Sequence, residues 1–391
     1  MEIVFLTPWA PYEADRTQMG ITSLSGRFRV TVADLSPLLA PEHPRPAPAA
    51  DVVRLESYAA LDAFLLEKKG AIFFDYVLGS TPILLKQERL FRALGRHGIR
   101  YIVLLASSLP VPSAKNSGLF KKIFFRLRTS VGLPGYLADL TVKRFIGLLR
   151  RRGLLYARPW RVYAVNHKAA SGFISACGLE AGLLRSVNSF DYSLSLEARR
   201  QGYAPVLKKT CVLIDENLVD SRDFAYAGLK ALTAEEFYTP LNAFLGKIEK
   251  ELGLEPVIAA HPKTRRGVLE EKYPGRRVIY GGTMQTIAEA SLVLAHWSTA
   301  LSFAVIFDKP ALLLKTRGME ETGLSGFVDT LAGALGVRIL RPEEAPDTPL
   351  DFTPESLPRA CYREYLALHI KPERAPDATV WDTVAGDLEA L

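Results

Sequence analysis

Residues 276–314 read RRVIYGGTMQTIAEASLVLAHWSTALSFAVIFDKPALLL, and the breaks in that stretch decide the fold. RRVIY is a short strand-like run that stops at Gly281-Gly282, and TMQTIAEA carries apolar residues at helical spacing, with Thr283 expected as its cap. SLVLAHW is apolar enough for a strand buried on both faces. STALSFAVIFD follows as a helix and KPALLL as another strand. Strands separated by short helices imply a parallel sheet wrapped by helices. Four polar-capable residues interrupt the apolar run: His296, Trp297, Ser298 and Thr299. Ser298 or Thr299 stands where an N-cap is expected. The free N–H groups and dipole of a helix start also attract anions, so a plain cap and an anion site are both open readings.

The same alternation extends outward. EIVFLTP, FRVTVADL, DVVRLE, AIFFDYVLG, IRYIVLLASS and WRVYAVNH read as strands in the first half. SYAALDAFLLEKKG, capped by Ser57, and ILLKQERLFRALGRHG read as helices between them. SPLLAPEHPRPAPAA is too rich in proline for either element and reads as a loop. In the second half CVLIDEN and EPVIAAHPKTR are strands that run into polar turns, with the long helix AEEFYTPLNAFLGKIEKELG between them. The expected division is an N-terminal Rossmann-like domain over 1–204, a second over 205–350, and a helical tail over 351–391 that packs across both. Two such units imply a ligand cleft between them, at the carboxyl ends of the strands.

With 391 residues, 48% hydrophobic and 23% charged, the chain has the composition of a globular protein and is long enough for two cores. Cys177, Cys211 and Cys361 lie far apart, without a CxxC pair or a histidine at ligand spacing, which argues for a reducing compartment and against a zinc site. No basic leader and no apolar run near 20 residues is present, so a cytoplasmic protein is expected. The net charge of +7 is uneven. Between Lys115 and Arg161 stand twelve Lys or Arg and one acid, Asp139, interleaved with Phe, Leu and Ile. This amphipathic insertion, with Lys121, Lys122, Arg126, Arg150, Arg151 and Arg152, fits the anionic inner face of a membrane, or else a solvated helical face. No nucleic-acid motif accompanies the charge, so nucleic acid is not an expected partner.

Five groups of residues bear chemistry. His261, held at a strand end by the stiff Pro262 and followed by Lys263, Arg265 and Arg266, suits a phosphate oxygen, or is a strand-end histidine satisfied by backbone. Ser298 and Thr299 add hydroxyls at a helix start. Gly281, Gly282 and Thr283 permit close approach of a ligand, or simply make a tight turn. Asp215 and Glu216 follow one strand and Asp191 another; each is a candidate proton acceptor or nucleophile, and each also suits a plain cap. The loop TPWAPYEADRTQMGITSL offers Trp9, Tyr12, Asp15, Arg16 and Gln18 to a sugar, or to water alone.

Taken together, HPKTR, IYGGTMQTIAEA and LAHWSTALSFAVIFDKPALLL resemble the C-terminal half of GT-B glycosyltransferases that use CMP-activated acidic sugars: bacterial sialyl-, polysialyl- and Kdo transferases of surface carbohydrate. The resemblance covers roughly residues 205–315. It implies that His261-Pro262 and Ser298-Thr299 bracket a cytidine monophosphate. It also implies a GT-B-like α/β fold, a donor that needs neither cofactor nor metal, and a glycan or lipid-linked glycan as acceptor. Teichoic acid polymerases with CDP donors are similar in the same two motifs, so a CDP-alcohol phosphotransferase stays open. So do a UDP-sugar enzyme on this fold and a nucleotide- or glycan-binding module without catalysis.

Overall fold

The computed structural model describes every residue except 12, 40–48, 50, 78–83, 107–108, 111–158, 177–179, 220–231, 263, 323, 348–349 and 351–356. The described residues form two compact units. One draws on 1–106, 159–190 and 372–391, and the other on 109–110 and 191–371.

The first unit is built on seven strands: β1 (Glu2–Thr7), β2 (Arg29–Asp34), β3 (Val52–Arg54), β4 (Ile72–Asp75), β5 (Arg100–Leu105), β6 (Pro159–Ala164) and β7 (Leu184–Ser186). Their order is β3-β2-β1-β4-β5-β6-β7, and every pairing is parallel. A parallel sheet is covered on both faces, so its central strands are largely apolar runs. The two-residue period then sorts the side chains: Val4, Leu6 and Phe73 enter one core, Ile3, Phe5, Ile72 and Phe74 the other. Ser57 caps the helix Tyr58–Glu67 by accepting the Ala60 N–H at 3.1 Å.

Two stretches expected as loop are partly helical. Ser36–Leu39 forms a helical turn, started by the Asp34 carboxylate accepting the Ser36 N–H at 2.9 Å. The polar loop after β1 contains the short helices Glu13–Gln18 and Ile21–Ser25. Between them Gly20 adopts φ 78°, and a Cβ there would lie 2.2 Å from the Trp381 indole. That indole belongs to the helix Val380–Glu389, whose Trp381 packs 5.9 Å from the Phe74 ring. Tyr163 donates to Asp387 at 2.9 Å, and Asn188 donates to the carbonyls of Pro376 and Ala378 at 2.8 Å each. The end of the chain is thus part of the first unit's core.

The second unit holds β8 (Thr210–Ile214), β9 (Glu255–Ala260), β10 (Arg277–Tyr280), β11 (Leu292–Ala295), β12 (Ala311–Leu314) and β13 (Ile339–Leu340). Their order is β10-β9-β8-β11-β12-β13, again parallel throughout. The helix Ala234–Leu252 is capped by Thr233, whose hydroxyl accepts the Glu236 N–H at 3.2 Å and donates to the Glu236 carboxylate at 2.7 Å. Gly253 ends it at φ 61°. Two expected caps shift. Gly282, not Thr283, precedes the helix Thr283–Glu289, because only a residue that accepts φ 65° fits there. Ala300, not Ser298 or Thr299, precedes Leu301–Ile306. Tyr362, Tyr365 and Ile370, from the helix Arg359–Tyr365 and the π turn after it, enter the second unit's core. Among the described residues no helix is long and apolar enough to cross a membrane.

Candidate functional site

Because β8 to β11 are parallel and adjacent, the loops that leave them emerge at one edge of the second sheet. Strand order reverses between β8 and β11, the position where open α/β sheets leave a crevice for ligands. The loop after β8 carries Asp215, Glu216 and Asn217. That after β9 carries His261 and Pro262, that after β10 Gly281 and Gly282, and that after β11 His296 to Ala300. Residues far apart in sequence are therefore brought to one edge.

The two carboxyls after β8 are buried and engaged. Asp215 is 3% exposed; it accepts the Asn217 N–H at 3.0 Å and the Tyr273 hydroxyl at 3.4 Å. The first contact closes a turn that holds Asn217 at φ 52°. Glu216 accepts the N–H of His296 at 2.8 Å and that of Trp297 at 2.9 Å, across about eighty residues of chain. Burial pushes its carboxyl up to about 8; the two backbone amides oppose the shift and neighbouring Asp215 adds to it. His296 is 1% exposed, and burial holds its imidazole down at about 3, so it is neutral near pH 7. Its ring lies 5.1 Å from that of Phe237. Its Nδ1 stands 3.8 Å from Glu216, outside hydrogen-bond range, and neither ring nitrogen has a partner among the described residues.

Beyond that buried layer the loop opens. Ser298 is partly buried and its hydroxyl accepts the Ala300 N–H at 3.3 Å, while Thr299 is exposed. His261 is partly buried, and its carbonyl accepts the Thr264 N–H at 2.9 Å in the stiff turn that Pro262 starts. Gly281 and Gly282 both take positive φ, 84° and 65°. Arg265 and Arg266 are exposed, Arg266 lying over the Tyr280 ring. Lys263 lies outside the described residues. Asp191 stands elsewhere, in the first turn of the helix Phe190–Arg200. Burial raises its carboxyl to about 7, against the hydrogen bond from the Ser302 hydroxyl. Ser302 follows the HWST loop, so this carboxyl braces the helix behind the loop.

In the first unit the Trp9 indole N–H donates to Asp15 at 3.1 Å, and Arg16 pairs with Asp51. Gln18 is exposed, and Tyr12 lies outside the described residues. So do Lys121, Lys122, Arg126, Arg150, Arg151 and Arg152. Sequence reasoning missed Tyr273, Ser302 and the His296 ring as neighbours of the carboxyls. Only the HWST break in an apolar run hinted at the last. Among the described residues no three His, Cys, Asp or Glu side chains gather as a metal site would require.

No family model matches the chain, and no curated protein matches it in sequence. Solved structures do. All of this chain aligns with 89% of the wall teichoic acid polymerase TagF, at 13% identity and a TM-score of 0.54. A TagF variant matches over the same extent at 12% identity and a TM-score of 0.54. The fold is GT-B-like. Two Rossmann-like α/β units, each with the strand order described, make it up. The UDP-GlcNAc 2-epimerase of Methanocaldococcus jannaschii aligns over the whole chain and 99% of its own, at 10% identity and a looser TM-score of 0.44.

Proposed function

We propose that this chain is a glycosyltransferase that moves an acidic sugar of the Kdo or sialic acid type from a CMP-activated donor to a surface-glycan acceptor. The observation that carries the reading is the placing of His261-Pro262 and Ser298-Thr299 at the carboxyl ends of β9 and β11, on either side of β8. Those are the two motifs of the resemblance, and they flank the crevice position of the sheet. In this reading His261, Ser298, Thr299 and the Gly281-Gly282-Thr283 turn, with Lys263, hold the cytidine phosphate. Hydrogen bonds aimed at the phosphate oxygens stabilise the charge that develops as the glycosidic bond to phosphate breaks. The donor brings its own carboxylate, and the reading asks for no metal. A carboxylate takes the acceptor's hydroxyl proton, Asp215 before Asp191 because it stands on the switch-point strand. Trp9, Tyr12, Asp15, Arg16 and Gln18 serve the acceptor. The basic segment 115–161 keeps a cytoplasmic enzyme at the inner face of the membrane.

Calorimetry with CMP tests the donor site: His261→Ala and Ser298→Ala should each weaken binding by roughly tenfold. Unchanged affinity in both would remove the motif assignment. Asp215→Ala should abolish transfer while CMP still binds, and retained transfer would take Asp215 out of the chemistry. Flotation with anionic vesicles should weaken when Arg150, Arg151 and Arg152 are reversed to Glu; equal flotation would leave that segment a solvated face.

A second reading is favoured by the likeness to TagF, a wall teichoic acid polymerase that has been soaked with CDPG. On it, the same edge would hold a CDP-alcohol and transfer its phosphoalcohol. CDP binding well above CMP would choose this reading.

A further inference from the structure

Glu216 sets its carboxyl oxygens against backbone amides of a neighbouring strand end. Its Oε1 accepts both the His296 and Trp297 N–H groups, and Oε2 lies a further 2.9 Å from the Trp297 nitrogen. The side chain is 8% exposed. Those two amides emerge at the carboxyl end of β11, next to β8 in the sheet, and the carboxyl spans the gap between the two loops. Without it, the two N–H groups at the start of the HWST loop would lose the acceptor they share.

Its neighbour is arranged differently. The Asp215 oxygens serve the turn at Asn217 and the Tyr273 hydroxyl, contacts that shape the loop carrying Glu216. On Glu216 both oxygens face protein N–H groups, with the His296 ring close on the same side. Ser298 and Thr299 follow directly from the clamped residues, so the position of their hydroxyls is set by where the clamp holds Trp297.

We infer that Glu216 is a positioning residue: its carboxyl clamps the His296 and Trp297 amides, presents Ser298 and Thr299 to the donor phosphate, and takes no proton from the acceptor. The phosphate part of this inference rests on the proposed donor reading; the clamp itself does not.

Three variants test it. Glu216→Gln keeps Oε1, the oxygen that accepts both amides, and gives up the second contact of Oε2 with the Trp297 N–H. It should bind CMP and transfer within about threefold of the parent, with an unchanged pH–rate profile. Glu216→Asp is one methylene too short to reach, and Glu216→Ala has no acceptor. Each should weaken CMP binding and raise the donor KM by roughly tenfold or more, with a smaller fall in kcat. Amide hydrogen exchange in the peptide spanning 295–299 should accelerate in Asp and Ala but not in Gln, with or without nucleotide. If Ala does not fold, Asp gives the same reading. A Gln variant that binds CMP normally but loses transfer by about a thousandfold, together with the acidic limb of its pH profile, would make Glu216 a proton acceptor and overturn the inference. Exchange unchanged in the Asp variant would also overturn it. Failure of the parent to bind any cytidine nucleotide would instead sink the donor reading, and the exchange arm would still decide the clamp.

Discussion

The loops after β1 and β8 occupy the same place in their sheets, each following the strand beside which the order reverses. They are built in opposite ways. After β1, polar side chains pair with one another near the surface: Trp9, 38% exposed, with Asp15, and Arg16 with Asp51. After β8, carboxyls are buried and hold backbone: Asp215 its own turn, Glu216 the end of β11. Water readily replaces a surface pair but not a buried acceptor. The second loop is therefore held by buried bonds, while the polar side chains of the first meet in more exposed pairs. What is rigid in the first loop is its base, where Gly20 runs under the Trp381 indole.

The comparison can be broken most forcibly at that base. Gly20→Ala places a Cβ 2.2 Å from the indole at a φ of 78°, which should destabilise the first unit by about 3 kcal/mol in denaturant unfolding. A loss under about 1 kcal/mol would show that the C-terminal helix does not lock the loop.

A smaller effect should appear in the second unit as pH changes. Glu216 and Asp191 titrate in the folded protein near 8 and 7, above the ordinary carboxylate range of about 4. The folded state thus holds more protons than the unfolded one between those limits, so stability falls as pH rises. His296 works the other way, but only between about 3 and 6.5. Between pH 6.5 and 8 the opposing His296 contribution is gone, and these two carboxyls should make unfolding midpoints drop with rising pH. Glu216→Gln should flatten that slope; a slope unchanged in the variant would assign it to other groups.

The smallest effect belongs to the surface pairs. Arg16→Ala or Asp51→Ala should change stability by less than about 1 kcal/mol. A larger loss would mean that the first loop is as fixed as the second.

Much of this was legible in the chain because strand ends announce themselves. Apolar runs that stop at Asp215-Glu216, His261-Pro262, Gly281-Gly282 and HWST mark the carboxyl edge of a parallel sheet. Period and punctuation are local, and so readable. The Glu216 clamp is not local: it joins residues eighty apart, and nothing in LIDEN specifies which amides that side chain meets. The start of the helix at Leu301 was also misplaced, because Ser298 forms its own short turn to Ala300 before the helix begins. Asp191 looked like a strand-end acid, yet it lies in the first turn of a helix that enters the second unit, facing Ser302. The docking of Trp381 over Gly20 depends on the last helix returning to the first unit, which no periodicity records.

The central claim is that the edge formed after β8, β9 and β11 receives a cytidine nucleotide. Thermal unfolding of the parent protein with CMP, CDP and UDP at equal concentration tests it most directly. The account predicts a rise in the midpoint with CMP, lost in His261→Ala, and none with UDP. Stabilisation by UDP without CMP or CDP would contradict it.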